Sequence, residues 1–309
     1  MATPPASLDI IIVNWNSRAQ LRRCLESIAA ADRRGLEVRR VAVVDNASSD
    51  HSADGLDDMP LPLACIRNAT NRGFAAASNQ GALGSTANYL LFLNPDTVLG
   101  RDSLVVPTEF LEQPANHAVG IVGVQLRDEH GVIARSCARF LTPGMIMRGI
   151  LGLPSHFMTD WDHRESREVD HVTGAFFLVR RGPFQSLEGF DERFFVYLED
   201  LDFSLRARRA GWRSYYLATA SAYHRGGGTS EQIKGRRLFY ALRSKVLYAY
   251  KHFSWPTATA LTIAIAAVEF VTRLVRALAR RSFTEARDTM LAYALLWRAL
   301  PGIRRSHAG

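Results

Sequence analysis

The first hundred residues contain four short apolar runs, and these runs constrain the fold more than any other feature of the chain. They occupy residues 8–13, 41–44, 63–66 and 89–93. Short continuous runs of this kind are typical of strands buried on both faces, as in a parallel sheet. The segment 18–31 has apolar residues at helical spacing, and 73–85 is a helix-like run of small residues. Because strands alternate with helices, we expect an α/β fold, a mostly parallel sheet with helices on both faces.

Polar residues follow these runs at the points where strands would end. They are Asn14, Asn16, Asp45, Asn46, Asn68, Asn71, Arg72, Asn94 and Asp96. Asparagine and aspartate are ordinary turn residues, so any one position is explained as well by a turn as by a function. Ligands of such sheets, however, bind beyond the carboxyl ends of the strands. The convergence of several polar strand ends therefore favours a ligand site at that edge.

Composition narrows the class of ligand. The net charge of +8 and the pI near 9.7 suit nucleic acid, an anionic membrane surface or a phosphorylated substrate. The basic residues are not interleaved with aromatics as in a nucleic-acid groove, so we expect no nucleic acid. The turn after the first run, "NWNSRAQ", has no glycine, and the chain has no P-loop motif. Bound phosphates would therefore be held by side chains and a metal ion.

The cysteines and the N-terminus indicate the compartment. Cys24, Cys65 and Cys137 are odd in number and show no CxxC spacing, which argues against a disulfide framework or a zinc site. The opening residues, "MATPPASLD", lack the charged region and apolar core of a signal peptide. We therefore expect a cytoplasmic protein.

Two acidic residues and one histidine stand out in the second half. Glu199 and Asp200 directly follow "FFVYL" and open a helical pattern. Acids at a helix start complement its dipole, which alone would explain them. A carboxylate beside aromatic surface also has a raised pKa unless it is paired, and that suits a general base. His224 ends an extended run just before glycines 226–228, where a ligand beside a closing lid is expected.

Seven segments between residues 8 and 230 have the order and spacing of one enzyme family. They are "IIIVNWNS", "VAVVDNASSD", "NRGFAAASNQG", "LFLNPD", "TGAFFLVRR", "GFDERFFVYLEDLDFSLRARRAGW" and "AYHRGGGTS". Each motif alone is weak, but the seven in order are specific. Together they resemble the family 2 glycosyltransferases with the GT-A fold, and among these the rhamnosyltransferase-like branch. The resemblance implies a GT-A nucleotide-sugar-binding and catalytic domain over residues 1–230.

The resemblance implies a nucleotide-sugar site at the strand ends. Asp45 would hydrogen-bond the pyrimidine base, and Arg72 would lie close to the base or the diphosphate. The positions that match this site are Asn14, Asn16, Asp45, Asn46, Arg72, Asn94, Gly174 and Ala175. Of these, Gly174 and Ala175 would flank the sugar and the acceptor.

The resemblance also implies a metal site and a catalytic base. Asp96 matches the metal-binding carboxylate of the family's DxD motif, and His224 matches a second ligand or a diphosphate contact. Asp200 matches the catalytic base, with Glu199 as its neighbour. Asn94 stands where the motif has its first acid, so the site carries less charge. Mg²⁺ or Mn²⁺ would then depend on substrate oxygens and water for its remaining ligands.

These roles imply an inverting, metal-dependent glycosyltransferase in which Asp200 deprotonates the attacking acceptor hydroxyl. The branch implies that L-rhamnose moves from dTDP-rhamnose to a glycan or polyprenyl-diphosphate-linked acceptor in cell-envelope polysaccharide assembly. No residue or motif in the sequence identifies the sugar, so a UDP- or GDP-hexose donor is an alternative. A nucleotidyltransferase would need a glycine-rich loop after the first strand. A non-catalytic nucleotide-sugar-binding or membrane scaffold would be expected to lose the polar strand ends.

After residue 230 the sequence changes to amphipathic and apolar helical segments with many basic residues. We therefore expect residues 231–309 to form a helical appendage. Its apolar stretch is only about sixteen residues and contains Glu269, short of the ~20 that a membrane span needs. Trp255, Trp297 and many arginines favour helices that lie on an anionic membrane surface. Packing on the core or a homodimer would explain the same pattern. We expect the protein at the inner face of the cell membrane, where a lipid-linked acceptor lies.

Overall fold

The computed structural model describes residues 5–226 and 233–305. The chain divides into two compact units. The sheet unit comprises Met1–Arg139, Met158–Glu192 and Glu199–Thr229, and the helical unit comprises Phe140–Phe157, Arg193–Leu198 and Ser230–Gly309. A domain boundary at residue 230 was expected from the sequence, and that boundary stays a prediction. The helical unit also includes two earlier segments, in which Ile146, Ile150 and Phe194 are buried.

All eleven strands found in the described residues belong to the sheet unit. They are β1 (Ala6–Asn14), β2 (Leu36–Asp45), β3 (Leu63–Arg67), β4 (Tyr89–Leu93), β5 (Thr97–Leu99), β6 (Val119–Arg127), β7 (Cys137–Ala138), β8 (Arg167–Val169), β9 (His171–Val172), β10 (Phe176–Arg180) and β11 (Arg213–His224). The four expected strands of the first hundred residues correspond to β1–β4. Each begins or ends within a few residues of its apolar run.

Nine of the strands form one sheet in the order β3-β2-β1-β4-β10-β6-β11-β5, and β8 pairs with β11. Strands β1 to β4 pair in parallel, and β11 pairs in parallel with β6. β10 runs antiparallel to β4 and β6, and β5 runs antiparallel to β11. The expectation of a mostly parallel sheet is confirmed. The antiparallel strands have a consequence for the site, because they bring later parts of the chain to the edge where β1, β2 and β4 end.

Helices cover both faces of this sheet. Those of the sheet unit are α1 (Ala19–Ala30), α2 (Phe74–Ala82), α3 (Val105–Glu112), α5 (Arg181–Ser186) and α6 (Glu199–Arg209). Alternate residues of β1 show the two faces: Ile10 and Ile12 pack in a core with Leu21 and Leu25 of α1, whereas Ile11 packs in a second core with Ala75 of α2. Strands that bury both faces must be apolar throughout, which explains their continuous runs.

The helical unit contains α4 (Pro143–Ile150), α7 (Lys234–His252), α8 (Trp255–Ile263), α9 (Phe270–Ala279) and α10 (Phe283–Arg305). A π-helical segment, Ala264–Glu269, joins α8 to α9 without a break. Trp255–Ala279 is therefore one 25-residue helix, which is long and apolar enough to cross a membrane by length and composition. The apolar stretch expected from sequence, about sixteen residues with Glu269 inside it, was shorter than this helix.

Candidate active site

The carboxyl ends of β1 and β2 form a buried polar cluster. Asn14 and Asp45 are partners in the parallel register, and Asn14 Nδ2 donates to Asp45 Oδ1 at 2.8 Å. The same Nδ2 lies 3.1 Å from Ser48 Oγ and 2.9 Å from Ser52 Oγ, and Ser17 Oγ donates to Asn14 Oδ1. Asn14 is thus fully engaged and fully buried. Among the described residues Asp45 Oδ2 has no hydrogen-bond partner, so this oxygen can accept a bond from a ligand.

Asn16 joins the loops that follow β1 and β2. Its Oδ1 accepts from Ser49 N at 2.8 Å, and its own N donates to Ser48 Oγ at 3.0 Å. The backbone is left-handed at Asn16 (φ 50°) and at Ala47 (φ 62°). Such conformations are uncommon outside glycine and cluster at functional sites. The two loops therefore support each other at the edge beyond the strands.

Asn46 organises the turn that carries Arg72. Its Nδ2 donates to Asn71 Oδ1 at 3.0 Å and to Gly73 O at 3.1 Å, while its Oδ1 accepts from Arg72 N at 2.9 Å and from Asn68 Nδ2 at 3.2 Å. Asn46 is buried, whereas the Arg72 side chain is exposed. Asn46 therefore holds the loop, and Arg72 is the member of this group whose side chain is open to a ligand.

The segment Asn94-Pro95-Asp96 turns sharply after β4. Thr97 N donates to Asn94 O at 3.1 Å and closes the turn, and Pro95 ends the strand because it cannot donate to a ladder. Antiparallel pairing of β5 with β11 then places His224 opposite Thr97. His224 Nε2 lies 3.3 Å from Asp96 Oδ1 and 3.5 Å from Asn94 Nδ2. Asp96 and His224, far apart in the sequence, therefore lie side by side.

Gly174 and Ala175 lie beside this turn because β10 runs antiparallel to β4. Asn94 N donates to Ala175 O at 3.2 Å, and Gly174 N donates to Asp200 Oδ2 at 2.8 Å. A Cβ on Gly174 would lie 3.1 Å from Asp200 Oδ2, so a larger residue would displace that carboxylate. A continuous series of contacts thus links the Asp96 turn with Asp200 at the start of α6.

His171 completes the surroundings of Asp200, although no motif or spacing had pointed to it. Its Nε2 lies 3.5 Å from Asp200 Oδ2, and its Nδ1 lies 3.1 Å from Ser204 Oγ. Ser204 Oγ in turn donates to the Asp200 carbonyl at 2.9 Å. Burial pushes the pKa of Asp200 upward, but the charge and hydrogen bond of His171, with the Leu201 and Gly174 amides, outweigh it and hold that pKa below its ordinary value. Asp200 is therefore ionised and fixed in position.

Glu199 behaves in the opposite way. It is 5 % exposed, and its Oε2 has no hydrogen-bond partner in the described parts of the chain. Burial, then the charges of Asp200 and Asp202, raises the pKa of Glu199 well above its ordinary value. The chain reaches Glu199 through Tyr197 and Leu198, both left-handed, at φ 70° and 66°. The two adjacent acids thus differ in protonation: Asp200 is charged, whereas Glu199 stays neutral to a higher pH than an ordinary glutamate does.

The residues around Asp96 fit a divalent cation only in part. Within residues 5–226 and 233–305 no group of three His, Cys, Asp or Glu side chains is arranged to hold a metal ion. Asp96 and His224 supply one carboxylate and one imidazole, and the Asn94 amide lies beside them. Mn²⁺ and Mg²⁺ commonly complete such a partial set with phosphate oxygens and water. The donor set is therefore compatible with a cation bound together with a diphosphate.

The expected site residues fall into two groups at one edge of the sheet. Asn14, Asn16, Asp45, Asn46 and Arg72 surround the ends of β1 and β2, and Asn94, Asp96, Gly174, Ala175, Glu199, Asp200 and His224 surround the ends of β4 and β11 and the start of α6. The expected lid, glycines 226–228, is described only at Gly226; Gly227 and Gly228 lie outside the described residues.

Comparison with known proteins places this geometry in context. The model of the family described as "Glycosyltransferase like family 2" matches residues 4–245. The chain is 26% identical over 272 residues to the N-acetylglucosaminyl-diphospho-decaprenol L-rhamnosyltransferase of Mycobacterium tuberculosis, covering 80% of this chain and 86% of that protein. It is also 26% identical over 247 residues to the rhamnosyltransferase WbbL of Escherichia coli, covering 77% and 91% of the two chains.

Solved structures show the same fold. The mannosyltransferase PcManGT from Pyrobaculum calidifontis, in complex with GDP-Man and Mn²⁺, aligns with a TM-score of 0.56 at 17% identity and covers 96% of this chain and 88% of its own. The S. aureus protein TarS 1-349, in complex with UDP-GlcNAc, aligns with a TM-score of 0.55 at 15% identity, covering 97% and 81%. The fold is therefore GT-A, as the sequence resemblance implied.

Proposed function

Because the chain belongs to the glycosyltransferase-like family 2 and is a glycosyltransferase, we propose that it is an inverting, metal-dependent enzyme that transfers L-rhamnose from dTDP-rhamnose. The observation that carries the proposal is the ionised Asp200, fixed by Gly174 N and His171 and linked through Ala175 to the turn that bears Asp96. Two rhamnosyltransferases among the relatives support the choice of sugar.

The two groups of site residues divide the donor between them in this proposal. Asp45 Oδ2 accepts a hydrogen bond from the nucleotide base, with Asn14, Asn16 and Asn46 holding the loops around it. Arg72, whose side chain is exposed, contacts the base or the diphosphate. Gly174 and Ala175 flank the sugar and the acceptor. A buried polar site of this kind discriminates among bases by leaving its own groups unpaired when the wrong base binds.

Asp96 and His224 would hold Mg²⁺ or Mn²⁺ together with the diphosphate oxygens of the donor. Such a cation, when bound, neutralises the charge that builds on the leaving nucleoside diphosphate. Asn94 contributes an amide where a second carboxylate would add charge. The protein alone therefore binds the cation weakly, and affinity rises when the nucleotide is present. The Mn²⁺ in the mannosyltransferase complex supports a cation at this site.

Asp200 acts as the general base in the transfer step. Its carboxylate takes the proton from the acceptor hydroxyl while the acceptor oxygen forms a bond to the anomeric carbon. The bond from that carbon to the diphosphate oxygen breaks at the same time, so the configuration inverts and no covalent enzyme intermediate forms. The lowered pKa of Asp200 keeps the base ionised at neutral pH. General-base catalysis of this kind contributes about 10²- to 10⁴-fold.

The acceptor in this proposal is a hydroxyl of a polyprenyl-diphosphate-linked sugar, at the inner face of the cell membrane. The relative from Mycobacterium tuberculosis, named for N-acetylglucosaminyl-diphospho-decaprenol, supports an acceptor of this class. A UDP- or GDP-hexose is the second candidate donor, favoured by the GDP-Man and UDP-GlcNAc complexes of the structural neighbours.

Ligand-dependent thermal unfolding tests the proposal. The full chain is heated with dTDP-rhamnose, UDP-GlcNAc or GDP-mannose, each with Mn²⁺, with Mg²⁺ and with chelator. A ligand present at 100 times its Kd stabilises by about 2.7 kcal/mol, which is a measurable rise in Tm. We expect the largest rise with dTDP-rhamnose plus metal, followed by rhamnose transfer to a lipid-diphosphate GlcNAc acceptor. A larger rise with GDP-mannose or UDP-GlcNAc, with transfer of that sugar, would replace rhamnose by the second candidate.

A further inference from the structure

The long helix of the helical unit exposes a continuous line of apolar side chains. We call this line the apolar stripe; it consists of Ile263, Ala267, Val271, Val275 and Leu278. These residues are three or four positions apart, so they share one side of the helix. The four larger ones are each more than half exposed. Soluble proteins rarely leave a contiguous apolar surface of this kind open to water, so the stripe indicates a contact with another apolar phase or surface.

The opposite side of the same helix is fixed within the helical unit. Glu269 is 2 % exposed, and Arg273 donates to its Oε1 from Nε at 2.9 Å and from Nη2 at 2.7 Å. Lys245 of α7 lies 3.6 Å from the same oxygen, and Thr272 Oγ1 donates to the Ile150 carbonyl at 3.0 Å. This side therefore carries paired charges and tertiary contacts.

This packing decides how the helix meets a membrane. If the helix Trp255–Ala279 crossed the membrane, α7 would be drawn toward the hydrocarbon with it. That is unfavourable because α7 is rich in arginine and lysine. An orientation parallel to the surface keeps α7 away from the hydrocarbon and immerses only the stripe. The helix thus has the length of a span but the two-sided construction of an interfacial helix.

Charge identifies the kind of surface that matches. The segments of the helical unit contain sixteen Lys and Arg against four Asp and Glu. Arg276, Arg280 and Arg281 are exposed at the C-terminal end of the stripe. Trp255, 65% exposed, stands at the start of the helix, and Trp297 borders it, with Nε1 donating to the Ala266 carbonyl at 3.2 Å. Tryptophans and arginines around an apolar face are typical of contact with anionic lipid headgroups.

A second copy of the chain is a poorer match for the same face. Two stripes packed together would bring two strongly basic units within reach of each other, where like charges repel. We propose that the apolar stripe is a membrane-docking face that lies at the headgroup level of an anionic bilayer, with the neighbouring arginines on lipid phosphates. The proposal rests on the membrane location proposed above, but its test needs neither donor nor acceptor sugar.

Vesicle binding by the full chain tests the docking face. Flotation is measured with vesicles of phosphatidylcholine alone and of phosphatidylcholine with phosphatidylglycerol. We expect binding to the anionic vesicles, weakened by about 0.5 M NaCl, because salt screens the arginine contacts. Val275→Asp is expected to lower the partition coefficient about tenfold or more, since it removes one exposed valine that would enter the bilayer and adds a charge that anionic lipid repels. Thr284→Asp is the matched control, because it adds the same charge at an exposed position outside the stripe.

Three outcomes would overturn the proposal. One is a full chain that ignores anionic vesicles while it still binds nucleotide sugar. Another is equal loss of binding in the Val275→Asp and Thr284→Asp variants, which would assign the effect to charge alone. The last is a dimer in solution that Val275→Asp converts to a monomer without a change in vesicle binding, which would assign the stripe to a second copy. Transfer to a water-soluble acceptor, measured in parallel, reports separately on the active site.

Discussion

The sheet unit and the helical unit distribute charge and apolar surface in opposite ways. The segments of the sheet unit carry 22 basic and 26 acidic residues, whereas those of the helical unit carry sixteen basic and four acidic ones. The sheet unit buries its apolar strands and gathers polar groups at one edge. The helical unit leaves a line of apolar residues exposed and surrounds it with arginine. The overall charge of +8 therefore comes from the helical unit.

This difference separates two questions that the whole-chain composition mixes. The basic pI says nothing about the proposed catalytic site, in which we assign roles to Asp45, Asp96 and Asp200 in a slightly acidic unit. It says much about the surface that the helical unit contacts. Substitutions at the strand edge should change chemistry and leave vesicle binding intact, whereas substitutions in the apolar stripe should do the reverse.

The largest effect is expected from Asp200→Asn. The amide cannot accept the acceptor proton, so the rate of transfer should fall about 10²- to 10⁴-fold. Nucleotide-sugar binding should remain, because Asp200 is assigned to the acceptor hydroxyl and the contacts to the nucleotide base lie in the other group of residues. Initial rates with a saturating donor, together with ligand-dependent Tm, measure the two properties separately.

Asp57→Asn serves as the control for this variant, since Asp57 is exposed and belongs to neither group of site residues. Its rate should equal that of the unmodified chain. Transfer that persisted at full rate in Asp200→Asn would remove Asp200 from the role of base. Loss of vesicle binding in Asp200→Asn would contradict the separation of the two units.

Asp96→Asn and His224→Gln should follow in size. Each removes one of the two side chains assigned to the cation, so the Mn²⁺ concentration for half-maximal activity should rise at least about 10- to 100-fold. Chelator should abolish transfer by the unmodified chain and by every variant. Metal titrations of the rate provide the measurement, and Asp102→Asn, at an exposed position soon after the turn, is the control. Unchanged metal dependence in both variants would move the cation elsewhere.

Much of this edge could be read from the sequence because it depends on local rules. Continuous apolar runs predict parallel strands, and parallel strands place their carboxyl ends together, so Asn14, Asp45 and Asp96 were expected to converge. His171 was not expected, because its approach to Asp200 depends on the pairing of β9 with β7 and on the placement of α6. Neither contact leaves a periodic pattern. The early segments of the helical unit were not assigned to it from sequence, because neither the short helix α4 nor the loop 193–198 carries a pattern that identifies its tertiary partner.

His171→Gln tests the least expected contact through pH. His171 lowers the pKa of Asp200 by its charge and hydrogen bond, against burial, which raises that pKa. Without His171 the pKa of Asp200 should rise. The acid limb of the kcat/KM profile should therefore shift to higher pH, while the rate on the plateau changes less than about tenfold. His117→Gln, at an exposed position, should leave the profile unchanged, and an unshifted limb in His171→Gln would reduce His171 to a packing residue.

The smallest effect is expected on stability, from Glu199→Gln. The pKa of Glu199 is raised in the folded chain above its ordinary value near 4.5, so the folded state favours the neutral acid. The stability associated with that neutral acid is present below the ordinary pKa and is lost as the pH rises through the raised pKa. Each unit of the shift corresponds to about 1.4 kcal/mol. Glutamine stays neutral, so the variant should be more stable than the unmodified chain near pH 8 and nearly equal to it near pH 5.

Urea unfolding at both pH values measures this difference, with Glu109→Gln as an exposed control. A variant that is less stable at both pH values would mean that the Glu199 carboxylate is paired and charged in the fold, which would remove the contrast drawn between the two neighbouring acids.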